Sequence, residues 1–231
     1  MSQTKCLILD FDNCIALNEK TGKGSEEIKD VAWYPVFPEY GREELDAAMK
    51  AARENLASFA AGQADRQDLV REVCRYFSIP DEQIKDEVVR RCEAFNQIVQ
   101  KGIAEIGVSE KAREALTRLA KTMPIYVNTA TPTDAVIQSL EALGFIPIIT
   151  RAHVYGRPGT KKSNLQSIIE IEDVRAEEVL FVDDQPTGWA IAQELGCRFV
   201  GIYTARNKAW HETPQPFPII SSLSKLVSFV S

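Results

Sequence analysis

The sequence predicts an α/β protein: a doubly wound parallel sheet carrying an inserted α-helical subdomain. Three observations carry this reading. Strand-sized apolar runs recur along the chain with helix-patterned segments between most of them, the pattern of parallel strands joined by helical crossovers. The stretch between the first two runs is far too long for a single crossover and reads as helical. Two of the runs end abruptly in paired aspartates. At 231 residues and 45% hydrophobic, the chain has apolar material for a sizeable core.

Strands are read at residues 5–9, 125–128, 147–150, 179–182 and 198–203. After the second of these, Thr131 and Pro132 suit an N-cap and first helical position, Ile137, Leu140 and Leu143 mark one face, and Gly144 suits the helix end. Residues 186–196, from Pro186 to Gly196, repeat that grammar. Between the first two strands, Leu45, Ala48, Met49, Ala52, Leu56 and Phe59 fall on one helical stripe, and Ile84, Val88, Cys92, Phe95 and Val99 on another. The expected organisation is therefore a core of residues 1–16 and 107–231, interrupted by a helical insertion at 17–106. Gly and polar residues near 18–25 and 102–107 suit hinges.

Composition narrows the function classes. Asp and Glu number 33 against 27 Lys and Arg, a formal net charge of −6, which argues against tight sequence-independent binding to nucleic acid or to anionic membranes. No apolar run approaches a membrane-spanning length, and no apolar leader precedes Asp10 and Asp12, so a cytoplasmic location is expected. Five cysteines without a close CxxC pair disfavour both a disulfide framework and a zinc site. With only His153 and His211 available, any metal should be held by carboxylates.

The chemistry concentrates where strands end. The first strand runs into Asp10-Phe11-Asp12-Asn13-Cys14, and the strand at 179–182 into Asp183-Asp184 ahead of Gln185-Pro186-Thr187-Gly188. In an open parallel sheet the carboxyl edge is where ligands bind. Alone, the first pair could be an acidic turn and the second a helix cap. Together they would crowd four carboxylates onto one edge, which is costly without a cation. Oxygen-only ligation suits a hard cation such as magnesium, which can also bridge to a phosphate. The strand at 125–128 delivers Thr129, a hydroxyl suited to donate to phosphate, to the same edge. The segment Gly159-Thr160-Lys161-Lys162 brings lysine to it ahead of another helix.

Taken in order, Asp10-Phe11-Asp12-Asn13-Cys14, Thr129 after a strand, Lys161 before a helix, and Asp183-Asp184 followed by Gly188 resemble the motifs of the haloacid dehalogenase superfamily across nearly the whole chain. The closest resemblance is to its phosphoglycolate-phosphatase-like and sugar-phosphate-phosphatase branch. The resemblance implies a Rossmann-like core with an α-helical cap at 17–106, and a magnesium-dependent phosphohydrolase acting on a small phosphorylated metabolite. It makes Asp10 the nucleophile that forms an aspartyl-phosphate, and Asp12 the acid and then the base. Asp10, the Asp12 carbonyl and Asp184 would hold magnesium, with Asp183 directly on the metal or just behind it. Lys161, with Lys162 as the alternative, would tie nucleophile to phosphate, and Thr129 and the Ala130 N–H would hold phosphate oxygens.

Cys14 stands where Thr or Val is more usual in that family; it could fill apolar space or form an oxidant-sensitive thiolate. Trp33, Tyr34 and Phe37 could line a substrate pocket or simply pack, and His153, Tyr155 and Arg157 could reach substrate. Rival readings are a dehalogenase, a phosphomutase of the same superfamily, and a non-catalytic phospho-metabolite binding module. Asp12 and the pair at 183 and 184 favour metal-assisted phosphoryl transfer over the first.

Overall fold

The computed structural model describes residues 3–57 and 64–230, and the chain divides into two compact units, Met1–Glu27 with Gly102–Ser231 and Ile28–Lys101. The sequence places the helical insertion at 17–106, and the compact units divide at 27/28 and 101/102.

The first unit holds a six-stranded sheet in the order β5-β4-β1-β6-β7-β8. Its strands are β1 (Cys6–Leu9), β4 (Ile125–Pro132), β5 (Val154–Arg157), β6 (Val179–Asp183), β7 (Arg198–Ile202) and β8 (Ile219–Ile220). Every pairing is parallel. A separate antiparallel hairpin, β2 (Leu17–Asn18) with β3 (Lys23–Gly24), follows β1. All four residues of β1 are fully buried, as a central parallel strand covered on both faces requires. One face packs Cys6, Ile8, Tyr126, Phe181 and Phe199 against Leu165 and Ile168 of α7 (Lys161–Glu172) and Ala192 of α8 (Pro186–Leu195). The alternate residues Leu7, Leu9, Val127, Leu180 and Val182 are equally buried, so the opposite face is covered too. The chain builds β4 and β5 to one side of β1 and then β6, β7 and β8 to the other. The order reverses at β1, so the carboxyl ends of β4, β1 and β6 frame the crevice where such sheets bind ligands.

Helices α5 (Glu110–Leu119), α6 (Thr133–Ala142) and the short α9 (Ala209–Glu212) complete this unit. As expected, Gly144 follows α6 at φ 68°, and α8 opens on Pro186 and closes at Gly196 with φ 78°.

Two expectations are corrected. Residues 147–150 form no strand: Ile148 and Ile149 donate back to the Phe145 carbonyl at 2.8 Å each, and Phe145 and Ile149 are buried as a turn that plugs the core. The strand lies instead at β5, where a Cβ on Gly156 would stand 2.2 Å from the Thr131 carbonyl, so only glycine lets the two strands approach. Likewise Thr131 does not cap α6. β4 continues to Pro132, which precedes the helix, and Thr131 stays on the strand.

The second unit is helical, with α2 (Arg42–Ala57), α3 (Arg66–Tyr76) and most of α1 (Ser25–Val36) and α4 (Asp81–Ile106). Leu45, Ala48, Met49 and Ala52 are buried as the stripe predicts, and Leu56 is half-buried; Phe59 lies outside the described residues. Ile84, Val88, Phe95 and Val99 are buried too, with Cys92 half-buried. Arg91 is the charged exception at 2% exposed: it pairs with Glu87 at 2.7 Å and with Glu39, donates to the Val36 carbonyl at 2.7 Å and lies over the Phe37 ring. Trp33 and Phe37 are buried packing residues, Trp33 against Phe95 with ring centroids 4.2 Å apart, and the Tyr34 hydroxyl donates to Asp46 at 3.1 Å. No helix among the described residues is long and apolar enough to cross a membrane.

Candidate active site

Leu9 pairs in register with Val127 on one side and Val182 on the other, so the next residue, Asp10, emerges between Asn128 and Asp183. The Asp10 amide still donates to the Val182 carbonyl at 2.8 Å, which carries β1's ladder one residue further and fixes the carboxylate at the sheet edge. Lys161 reaches the same point from the first turn of α7, where Thr160 caps the helix with its hydroxyl. Its ammonium stands 2.6 Å from Asp183 Oδ2 and 3.1 Å from Asp10 Oδ2. Oxygens of Asp10, Asp183 and Asp184 lie within 4.8 Å of one another, all buried.

One ammonium among three buried carboxylates leaves the cluster short of positive charge. Burial raises Asp10 well above the ordinary carboxylate range; Lys161 opposes this, and Asp183, Asp12 and Asp184 add to it. Asp184 is pushed up to about 7 by burial and by Asp183, again against Lys161. Burial pulls the Lys161 ammonium down, but Asp10 and Asp183 outweigh it and hold the group above its ordinary value. Among the described residues, Asp10 Oδ1 and Asp184 Oδ1 are buried without a hydrogen-bond donor. Two unpartnered anionic oxygens beside an undercompensated charge fit a hard divalent cation, and the all-oxygen donor set fits magnesium. Asp10 and Asp184 would hold it, while Asp183 is occupied by Lys161 and by the Gln185 amide, which donates to Oδ1 at 2.9 Å.

Gly188, which the motif after the acidic pair already marks, holds this arrangement together with Asn128 and with Asn207, which the sequence reading did not single out. A Cβ on Gly188 would sit 2.4 Å from Asp183 Oδ2, so the first turn of α8 passes over that carboxylate only because residue 188 has no side chain. Asn207 donates to the Asp184 and Ile202 carbonyls at 2.8 and 2.9 Å and accepts from the Thr204 amide at 2.8 Å, pinning the backbone of Asp184. Asn128 donates to the Lys161 carbonyl at 2.8 Å, tying β4 to the start of α7. Asp12 is not one of the three clustered acids; its carboxylate accepts the hydroxyls of Ser25 and Thr131, and its charge adds to the raising of Asp10. Thr129 is buried on β4, just after Asn128 where the pairing with β5 becomes irregular, and Ala130 beside it is exposed.

The remaining candidates lie elsewhere. Lys162 pairs with Glu194 on the surface. His153 stacks on Tyr126 with ring centroids 4.2 Å apart and its Nδ1 meets the Ile125 carbonyl, and Tyr155 packs against the core. Cys14 is buried, its thiol directed at the Val182 carbonyl at 3.9 Å, and burial holds it well above the ordinary thiol range; the space-filling reading, not the oxidant-sensitive thiolate, fits it. All five cysteines are free.

The model of the haloacid dehalogenase-like hydrolase family matches residues 7–202. No curated protein matches the chain. Among solved structures, the chain resembles YfnB from Bacillus subtilis, described as a haloacid-dehalogenase-type hydrolase bound to magnesium, at 15% identity over 99% of both chains with a TM-score of 0.68. It resembles a 2-haloacid dehalogenase from Pseudomonas syringae at 18% identity over 97% of both chains, with a TM-score of 0.66. A predicted phosphoglycolate phosphatase from Haemophilus somnus is similar at 17% identity over all of both chains, also at 0.66. Dehalogenase and phosphatase names stand equally near in fold, so the choice of chemistry falls to the side chains at the sheet edge.

Proposed function

The chain belongs to the haloacid dehalogenase-like hydrolase family, and from that premise we propose that it hydrolyses a small phosphomonoester through a phosphoryl intermediate on Asp10. The observation that carries this reading is the triad of Asp10, Asp183 and Asp184 around the Lys161 ammonium, with a buried oxygen of Asp10 and of Asp184 left without a donor. Such a cluster is suited to receive a cation and an anionic phosphate together.

In the proposed reaction an Asp10 oxygen attacks phosphorus while the bond to the leaving oxygen breaks. Lys161 holds Asp10 in place and offers its charge to the phosphate oxygens. Thr129 and the Ala130 N–H take further phosphate oxygens from β4. Asp12 gives its proton to the leaving alkoxide, then takes one from the water that releases phosphate from Asp10. Magnesium, when bound by Asp10, Asp184 and the Asp12 carbonyl, supplies charge neutralisation between the carboxylates and the phosphate. A phosphoglycolate-like or sugar-phosphate substrate is the class we favour, supported by the likeness to the Haemophilus somnus protein of that name.

The test is phosphate release from p-nitrophenyl phosphate and a panel of phosphorylated metabolites, with magnesium or with chelator, for the wild type, Asp10→Asn and Asp184→Asn. Release that needs magnesium and both aspartates is the expected result. A wild type that releases no phosphate from any compound, or an Asp10→Asn variant as active as the wild type, would overturn the proposal.

A further inference from the structure

We infer that Thr131 and Ser25 are positioning residues for Asp12, an inference that rests on the phosphohydrolase reading above. Asp12 lies on the loop after β1 and is nearly buried. Each of its oxygens accepts a different hydroxyl: Oδ1 that of Ser25 at 2.6 Å, Oδ2 that of Thr131 at 2.5 Å. A carboxylate on a short side chain otherwise turns broadly about its terminal torsion. A hydroxyl held on each oxygen fixes the plane.

Both donors are themselves anchored. The Ser25 amide donates to the Ala16 carbonyl at 3.1 Å, and its hydroxyl accepts from the Asn13 amide at 3.3 Å. The Thr131 amide donates to the Thr129 hydroxyl oxygen at 3.3 Å. Thr131 therefore joins the residue proposed to hold phosphate, Thr129, to the residue proposed to move the proton, Asp12. Two segments far apart in sequence, β4 and the loop after β1, are set against one reacting centre by one threonine.

A carboxylate oxygen offers two lone-pair positions, so accepting a hydroxyl is compatible with carrying a proton. As Asp10 forms its new bond to phosphorus, the bond from phosphorus to the leaving oxygen breaks with its electron pair on that oxygen, which takes the proton from Asp12. A held carboxyl meets that oxygen without a search over orientations, which is where positioned acids gain their rate. The dependence on Thr131 should then scale with how much the leaving oxygen needs a proton. An alkoxide needs one; p-nitrophenolate, stable near neutral pH, does not.

The experiment compares kcat/KM, which reports the step up to phosphoryl transfer, for Thr131→Val, Thr131→Ser and Ser25→Ala on an alkyl phosphomonoester from the active panel and on p-nitrophenyl phosphate. Thr131→Val keeps the shape and removes the hydroxyl. It is expected to lower kcat/KM about tenfold on the alkyl ester and less than about twofold on the aryl ester. Thr131→Ser should restore the alkyl-ester value, and Ser25→Ala should shift the two substrates in the same unequal way. Equal losses on both substrates, no loss on either, or a Thr131→Ser variant no better than Thr131→Val would overturn the inference while leaving the phosphohydrolase reading standing. A wild type inactive on both esters overturns that reading and this inference with it.

Discussion

Replacing Asp184 by Asn should stabilise the metal-free protein at alkaline pH, although it removes a residue of the proposed site. Asp184 is 4% exposed, and burial together with Asp183 pushes its carboxyl from 3.8 to about 7. An acid whose folded pKa lies above its unfolded value holds its proton more tightly when folded. Stability therefore falls as pH rises from 3.8 through about 7, and levels off above. At about 1.4 kcal/mol for each pH unit, the interval amounts to about 4 kcal/mol lost by about pH 8. An amide does not ionise and escapes that loss, less a part for seating its N–H groups, so a net gain of about 2–4 kcal/mol is expected. The assay is urea unfolding in chelator at about pH 5.5 and about pH 8. The wild type should lose stability between the two, and Asp184→Asn should lose less, keeping a residual slope from the raised Asp10. Magnesium should stabilise the wild type at alkaline pH and leave the variant nearly unchanged. A variant less stable than the wild type at about pH 8 without metal would show that the acids coexist without a cation, and the argument for a metal site would fail.

Three further outcomes follow from the packing around the cluster. Gly188→Ala drives a methyl group to 2.4 Å from Asp183 Oδ2, so the urea midpoint should fall by an equivalent of about 1–3 kcal/mol and phosphate release should drop with it. Asn207→Ala removes the donor from the Asp184 carbonyl, and titration calorimetry should find magnesium bound about tenfold more weakly. In the helical unit, Arg91→Ala removes a buried side chain from beside Phe37 and takes the donor from the Val36 carbonyl, while Glu87 keeps its pair with Arg90 and Glu39 is exposed, so thermal unfolding should register a loss of about 2–3 kcal/mol.

The fold was legible where burial is symmetric. β1 and β6 read as unbroken apolar runs because both faces of a central parallel strand are covered, and their terminal acids marked the carboxyl edge. β5 was not, because its residues Val154, Tyr155, Gly156 and Arg157 show neither an apolar run nor alternation, and the glycine serves a close approach visible only in three dimensions. Thr131 carried the local signature of a helix cap, and the pull of Asp12, 119 residues away, replaced it. Arg91 could have been found: it sits three residues after Val88 and four before Phe95, on the buried stripe. Asn207 gave no signal at all. Its partners, Asp184 and Ile202, are set by the pairing of β6 with β7, which no local pattern encodes. The acids themselves stood out because four carboxylates at strand ends are hard to explain as surface chemistry, whereas the hydroxyls and amides that orient them are common residue types everywhere.

The most direct measurement is rapid acid quench of the wild type turning over its best panel substrate with magnesium, followed by mass spectrometry of the peptide that contains Asp10. The account predicts a transient phosphoryl group on Asp10, absent from Asp10→Asn and from wild type held in chelator. Rapid phosphate release with no phosphorylated Asp10 peptide at any quench time, or a phosphoryl group found on another residue, would contradict it.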